Sequence, residues 1–216
     1  MKKSGEYKAI IFDLDGTLID SMPYHVAAFK DLLLEHKIKI KKGELEELIG
    51  QPTTKIFETL KKRHKFKEKV VDLREERRYH FFKFLGTQNI AFPGVMNTLK
   101  KLKKKYKIGV ATGSSRITFV HSTTQDFQAL FKEVVTVDDV NRGKPNPEQL
   151  LLVAKKLKVK PSECLMVGDS TFDHLAAKNA GMDSIGVLTG NHNRKELLKA
   201  GAKHVIESVN ELNKVI

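Results

Sequence analysis

Two hydrophobic rhythms alternate along most of the chain. Compact apolar runs, of the kind that fill a strand buried on both faces of a parallel sheet, fall at Ala9–Phe12, Ile108–Ala111, Val134–Val137, Leu165–Val167, Ile185–Val187 and His204–Ile206. Between them, apolar residues recur at helical spacing: Val95–Lys105, Ile117–Leu130, Pro147–Leu157, Phe172–Ala180, Arg194–Ala200 and a final segment after Ile206. The first interval is different. From Pro23 the pattern is helical throughout, with Val26, Phe29, Leu32 and Leu33 on one face up to Glu35. Helices over Lys42–Ile49, Thr53–Arg63 and Glu68–Leu85 follow. No strand is predicted between Ser21 and Asn89, and Ala91-Phe92-Pro93-Gly94-Val95 punctuates the return. The pattern predicts an α/β fold, a doubly wound, mainly parallel sheet over residues 1–20 and 90–216, carrying a small all-helical domain over 21–89.

Composition narrows the function classes. A length of 216 residues suits one α/β domain with a small insert. The formal charge of +13 raises the question of a nucleic-acid partner. The lysines, however, lie in amphipathic stretches such as Leu99-Lys100-Lys101-Leu102-Lys103-Lys104-Lys105, where a solvated helix face accounts for them. Aromatic residues make up only 7% and do not interleave with the basic ones, so a nucleic-acid partner is disfavoured. The single cysteine, Cys164, excludes an internal disulfide, fits a reducing compartment, and reads as a buried structural thiol. Met1–Glu6 lacks the apolar stretch of a signal peptide, and no segment is long enough to span a bilayer; the expectation is a cytoplasmic protein with no membrane partner.

Four strand ends carry candidate chemistry. Asp13 and Asp15 close the first strand, followed by Gly16 and Thr17. A carboxylate at the lip of a buried strand must be paired, hydrogen-bonded or metal-bound, or it is held neutral. After the second strand, Thr112-Gly113-Ser114-Ser115 offers hydroxyls and a glycine-opened turn suited to a phosphate, although such a turn also serves simply to start a helix. Gly143-Lys144-Pro145 fixes a lysine before a helix. Finally, Gly168-Asp169-Ser170-Thr171-Phe172-Asp173 sets two acids four residues apart, which can cap a helix or join Asp13 and Asp15 around a hard cation.

These four segments, in this order, resemble the signatures of the haloacid dehalogenase-like hydrolase superfamily. The resemblance implies a small phosphorylated substrate, Mg²⁺ as cofactor and an aspartyl-phosphate intermediate. Asp13 would be nucleophile, Asp15 acid and base, and Thr112, Gly113 and Lys144 the phosphate holders. Asp13, the Asp15 carbonyl and Asp169 would be metal ligands, with Asp173 ligating or acting from behind. Metal-free dehalogenation shares the first aspartate, but retention of Asp15 and Asp169 favours phosphate chemistry.

The helical insert resembles the C1 cap of the subgroup that contains phosphoglycolate phosphatase and β-phosphoglucomutase. Substrate contacts are expected from His25, the Gly50-Gln51-Pro52-Thr53 turn, Arg78 and Tyr79, with Ser114 and Arg116 from the sheet domain. The mutases usually have an acid where Gly168 stands and an arginine near Thr53, and neither is present. Hydrolysis therefore leads, with a phosphosugar mutase second and a non-catalytic nucleic-acid binder as the alternative of another class.

Overall fold

Strand β1, Ala9–Phe12, has no exposed surface at any of its four residues. In the computed structural model, which describes residues 7–49, 51 and 53–216, it lies at the centre of a six-stranded sheet. Its neighbours are β2, Lys107–Ala111, and β4, Cys164–Gly168; β3 is Glu133–Val135, β5 Asp183–Val187 and β6 His204–Ile206. The order is β3-β2-β1-β4-β5-β6, and every pairing is parallel. The winding reverses between β1 and β4, where open sheets of this kind leave a crevice outside the strands' carboxyl ends. Asp13 begins there, its N–H donating to Val167 O at 2.8 Å.

The chain divides into two units, residues up to Asp20 with Asn89–Ile216, and Ser21–Gln88. In the first, helices α5 (Val95–Leu102), α6 (Arg116–Ser122), α7 (Gln125–Gln128), α8 (Glu148–Leu157), α9 (Thr171–Asn179) and α10 (Arg194–Ala200) accompany the strands. Leu150, Val153, Ala154 and Leu157 of α8 form one apolar cluster with Ala9, Ile11, Cys164 and Met166 of the sheet and Ala176 and Ala177 of α9. Each fully buried leucine or valine there contributes about 1.5–3 kcal/mol. Gly109 in β2 lets α8 come close, since a Cβ there would lie 2.8 Å from Val153 Cγ1. Cys164 is buried, as its strand-like setting predicts, and burial pushes its thiol up to about 11.

The sequence-based boundaries shift at several places. The helix expected over Ile117–Leu130 is broken between α6 and α7. Thr123 Oγ1 turns back to Phe119 O at 2.5 Å, and Thr124 caps α7 by accepting from Phe127 N at 3.2 Å. Local hydroxyl–backbone bonds compete with the helix at both positions. β3 ends at Val135, two residues before the expected Val137, because Thr136 and Asp139 form a capping box over a 3₁₀ turn. The last segment is 3₁₀, Val209–Lys214, and α5 stops at Leu102.

The second unit contains α1 (Met22–Glu35), α2 (Glu44–Leu48), α3 (Thr53–His64) and α4 (Val70–Leu85). Phe29, Leu32, Leu33, Leu45, Ile56, Phe57, Leu60 and Leu73 build its core, with the Phe29 and Phe57 rings 5.1 Å apart. Polar ties surround it: Glu44 accepts from Lys41 N, Arg63 Nη1 at 3.0 Å and His64 Nε2 at 2.8 Å, which together hold its carboxyl down at about 2. Among the described residues, no helix is long and apolar enough to cross a membrane.

Candidate active site

Three buried carboxylates gather beyond the ends of β1 and β4. One oxygen from each of Asp13, Asp169 and Asp173 lies within 4.8 Å of the others. Lys144 enters from the segment before α8 and binds three acceptors: Asp13 Oδ1 at 2.8 Å, Asp173 Oδ1 at 2.6 Å and Ala111 O at 3.1 Å. Its side chain is only 8% exposed, so one nearly dry ammonium is shared between two carboxylates.

The surroundings separate the three acids. Burial, then the negative charge of Asp173, pushes the Asp13 carboxyl up to about 7 despite the adjacent Lys144. Burial and the charges of Asp13 and Asp173 raise Asp169 well above the ordinary carboxylate range. Asp173 goes the other way: burial is outweighed by Lys144 and by the Ser170 hydroxyl, which hold it low. The same two acids raise Lys144 above its usual value against the effect of burial. When ionised, three acids outnumber one lysine in a buried place, which is why two of them are pushed toward the neutral form, and every donor is a carboxylate oxygen. That donor set fits a hard divalent cation.

Close backbone approach shapes the cradle around Asp169. Thr17 Oγ1 donates to its Oδ1 at 2.7 Å. Gly16 lies so near that a Cβ there would stand 2.7 Å from Asp169 Oδ2, and its φ of +75° also suits glycine. Gly190, after β5, is tighter: a Cβ would come to 1.8 Å from the same oxygen. Thr189 Oγ1 donates to Gly16 O at 2.6 Å, fastening the two glycine segments together.

The other expected residues fall into distinct groups. The Asp15 carboxylate lies outside the triad, its Oδ2 accepting from Ser114 Oγ at 2.7 Å and Thr112 Oγ1 at 3.4 Å. Thr112 Oγ1 also accepts from Ser114 N at 2.9 Å, so Asp15, Thr112 and Ser114 form one hydrogen-bonded set with Gly113 at the turn. Asp173 has both oxygens engaged, Oδ1 by Lys144 and Oδ2 by Ser170 N and Oγ in a capping box at the start of α9. Arg116 is committed elsewhere, to Asp139 Oδ2 at 2.7 Å and Val134 O at 2.8 Å.

His25, Thr53, Arg78 and Tyr79 belong to the helical unit. His25 Nδ1 accepts from Arg77 Nη1 at 2.9 Å, and its ring stacks on Phe81. Thr53 opens α3; of its expected turn, Gly50 and Pro52 lie outside the described residues. Arg78 is bound to Glu75 at the surface, and Tyr79 is 70% exposed. The buried arginine is instead Arg77, its guanidinium over Phe29 at 5.1 Å. Sequence reasoning passed over Thr189 and Gly190, for which a Thr-Gly pair one residue beyond a strand was the available signal, much as at Thr112-Gly113.

Comparison with known proteins gives a coherent picture. Residues 10–187 match the family model described as haloacid dehalogenase-like hydrolase. The chain is 32% identical over 209 residues to pyrophosphatase PpaX of Bacillus velezensis, covering 94% of each chain. It is 31% identical over 192 residues to a phosphoglycolate phosphatase of Psychrobacter arcticus, covering 84% of this chain and 83% of that one. Among solved structures, a hydrolase from Pseudomonas syringae superposes with a TM-score of 0.81 at 31% identity, over 96% of this chain and 97% of that chain.

Proposed function

The chain belongs to the haloacid dehalogenase-like hydrolases, and from that premise we propose that it is a Mg²⁺-dependent phosphatase acting on a small phosphorylated metabolite, phosphoglycolate- or sugar-phosphate-like, through an aspartyl-phosphate on Asp13. Relatives named as phosphatases make the chain a phosphoric monoester hydrolase. The observation that carries the finer reading is Asp13 itself: a buried carboxylate at the sheet's crevice, 2.8 Å from the Lys144 ammonium and grouped with Asp169.

In this reading an Asp13 carboxylate oxygen attacks phosphorus in line. The bond from phosphorus to the leaving oxygen breaks, and Asp15 gives that oxygen its proton. Asp15 then takes a proton from water as the water oxygen attacks the same phosphorus, releasing inorganic phosphate and the free Asp13 carboxylate. Ser114 orients the Asp15 carboxylate through its 2.7 Å bond, while Thr112, the Gly113 turn and Lys144 hold the phosphoryl oxygens. Asp13, the Asp15 carbonyl and Asp169 would hold Mg²⁺; Asp173, with both oxygens occupied, supports Lys144 from behind. When bound, the cation supplies positive charge that offsets the repulsion between carboxylate and phosphate dianion.

The helical unit is proposed as the cap that selects the leaving group, with His25, Thr53 and Arg78 as candidate contacts. The test is a phosphate-release screen over small phosphate esters and pyrophosphate, with and without Mg²⁺, on the wild-type chain and Asp13→Asn. Mg²⁺-dependent turnover lost in the variant is the expected result. No turnover on any compound, from folded protein with Mg²⁺ present, overturns the reading.

A further inference from the structure

Gln149, the second residue of α8, is fully buried. Its Nε2 donates to the main-chain carbonyl of Thr112 at 2.7 Å. A carbonyl can only accept, so the amide nitrogen must face it and Oε1 must point away. That oxygen is buried with no hydrogen-bond partner among the described residues. An aliphatic side chain would remove the unpaired oxygen but leave the buried Thr112 carbonyl without its donor. The amide leaves its oxygen unpaired, and what it supplies in return is the donor to the Thr112 carbonyl.

That donor completes the fixing of Thr112. Its N–H donates to Val135 O at 3.0 Å, its hydroxyl accepts from Ser114 N and meets Asp15, and its carbonyl is taken by Gln149. The preceding carbonyl, Ala111 O, is taken by Lys144. Two consecutive carbonyls at the end of β2 are thus gripped by two side chains of one segment. The segment is itself tied to α8, because Glu148 accepts from Asn141 N at 2.9 Å and Arg142 N at 3.1 Å. The first turn of α8 therefore sets both Lys144 and Thr112.

We propose that Gln149 is a positioning residue that aims the Thr112–Ser114 turn at the transferred phosphoryl group. This rests on the phosphatase reading above. A turn that holds phosphate in both the ground and transition states contributes uniform binding, so its loosening raises KM and leaves kcat largely unchanged.

The experiment compares the full-length wild type with Gln149→Met, which keeps side-chain volume and removes both polar atoms, and Gln149→Asn, whose amide is one methylene too short to reach. For both variants KM and the inhibition constant of inorganic phosphate are expected to rise together, roughly five- to tenfold, the loss of about one hydrogen bond. The kcat is expected to stay within about twofold. The melting temperature of Gln149→Met is expected to fall by no more than a few degrees, because the unpaired Oε1 is removed as the Thr112 carbonyl loses its donor. A purely structural role would instead lower kcat with the folded fraction and leave KM and phosphate inhibition at their wild-type values. Wild-type KM and phosphate inhibition in a folded Gln149→Met overturn the proposal. The upward shift in melting temperature on adding inorganic phosphate with Mg²⁺ reads the same contact without turnover. A wild type that shows this shift but hydrolyses nothing would fail the phosphatase reading while leaving Gln149 testable; equal shifts in wild type and Gln149→Met overturn the role assigned to Gln149.

Discussion

Lys144 and Asp173 form a 2.6 Å ion pair in which the lysine side chain is 8% exposed and the carboxylate not at all. Neither partner comes from a strand of the sheet, yet together they set where the ammonium sits against Asp13.

Removing one member of such a pair leaves the other charged and dry, which typically costs about 3–5 kcal/mol. Lys144→Met is therefore expected to lower unfolding free energy by an amount of that order and to abolish phosphate release. Urea denaturation alongside the hydrolysis assay measures both. Wild-type stability would contradict the pairing described.

Gly190→Ala is expected to weaken Mg²⁺ binding roughly tenfold or more, because the new Cβ would stand 1.8 Å from Asp169 Oδ2 and push a supposed ligand aside. Gly143→Ala is the control: a Cβ there meets nothing within 4 Å. The Mg²⁺ concentration giving half-maximal activity is the readout.

The raised carboxyls give a pH dependence with a definite sign. Asp13 has an ordinary value of 3.8 and a folded value of about 7, so without metal the folded state binds the extra proton between those limits. Its contribution to stability is fully present below about pH 4 and is lost as pH rises through 7. A divalent cation replaces that proton. The melting-temperature gain from Mg²⁺ over EDTA is thus expected to be small near pH 5 and large near pH 8. A gain that is flat across that range would refute Asp13 and Asp169 as the metal ligands.

The helical unit titrates oppositely. Glu44 is held at about 2 by Lys41 N–H, Arg63 and His64, so its contribution is present above its ordinary value of 4.5 and fades as pH falls from about 5 to 2. Glu44→Gln is expected to lower the melting temperature by a few degrees at pH 7 and by progressively less toward pH 2. Thermal melts of both proteins across that range check it.

Which features were legible from the sequence follows from how local their causes are. Asp13, Asp15, Thr112, Lys144 and Asp169 each stand beside a buried apolar run or a proline, so position along the chain announces them. Gly190 and Gln149 act on residues 21 and 37 positions away in the chain; a Thr-Gly pair flags Gly190 but not its contact with Asp169, and nothing beside Gln149 marks its own. That Arg77 is buried while Arg78 lies at the surface depends on which way α4 faces its own core, a rotation that two adjacent arginines do not reveal. The break at Thr123–Thr124 was hidden because apolar spacing continues across it while hydroxyl bonds end the helix.

Where the chain leaves the sheet unit and returns to it, Ile19 bridges Ala91 antiparallel, Asp20 N donates to Ile90 O at 2.7 Å and Phe92 N to Leu18 O at 3.0 Å. The two crossing points are clasped before the inserted segment begins. Residues 21–88 are therefore inserted between two points that the sheet unit already joins. A segment so attached can be cut out and replaced by a short turn, or swapped for the corresponding segment of another protein, without asking β1 to find its partners again.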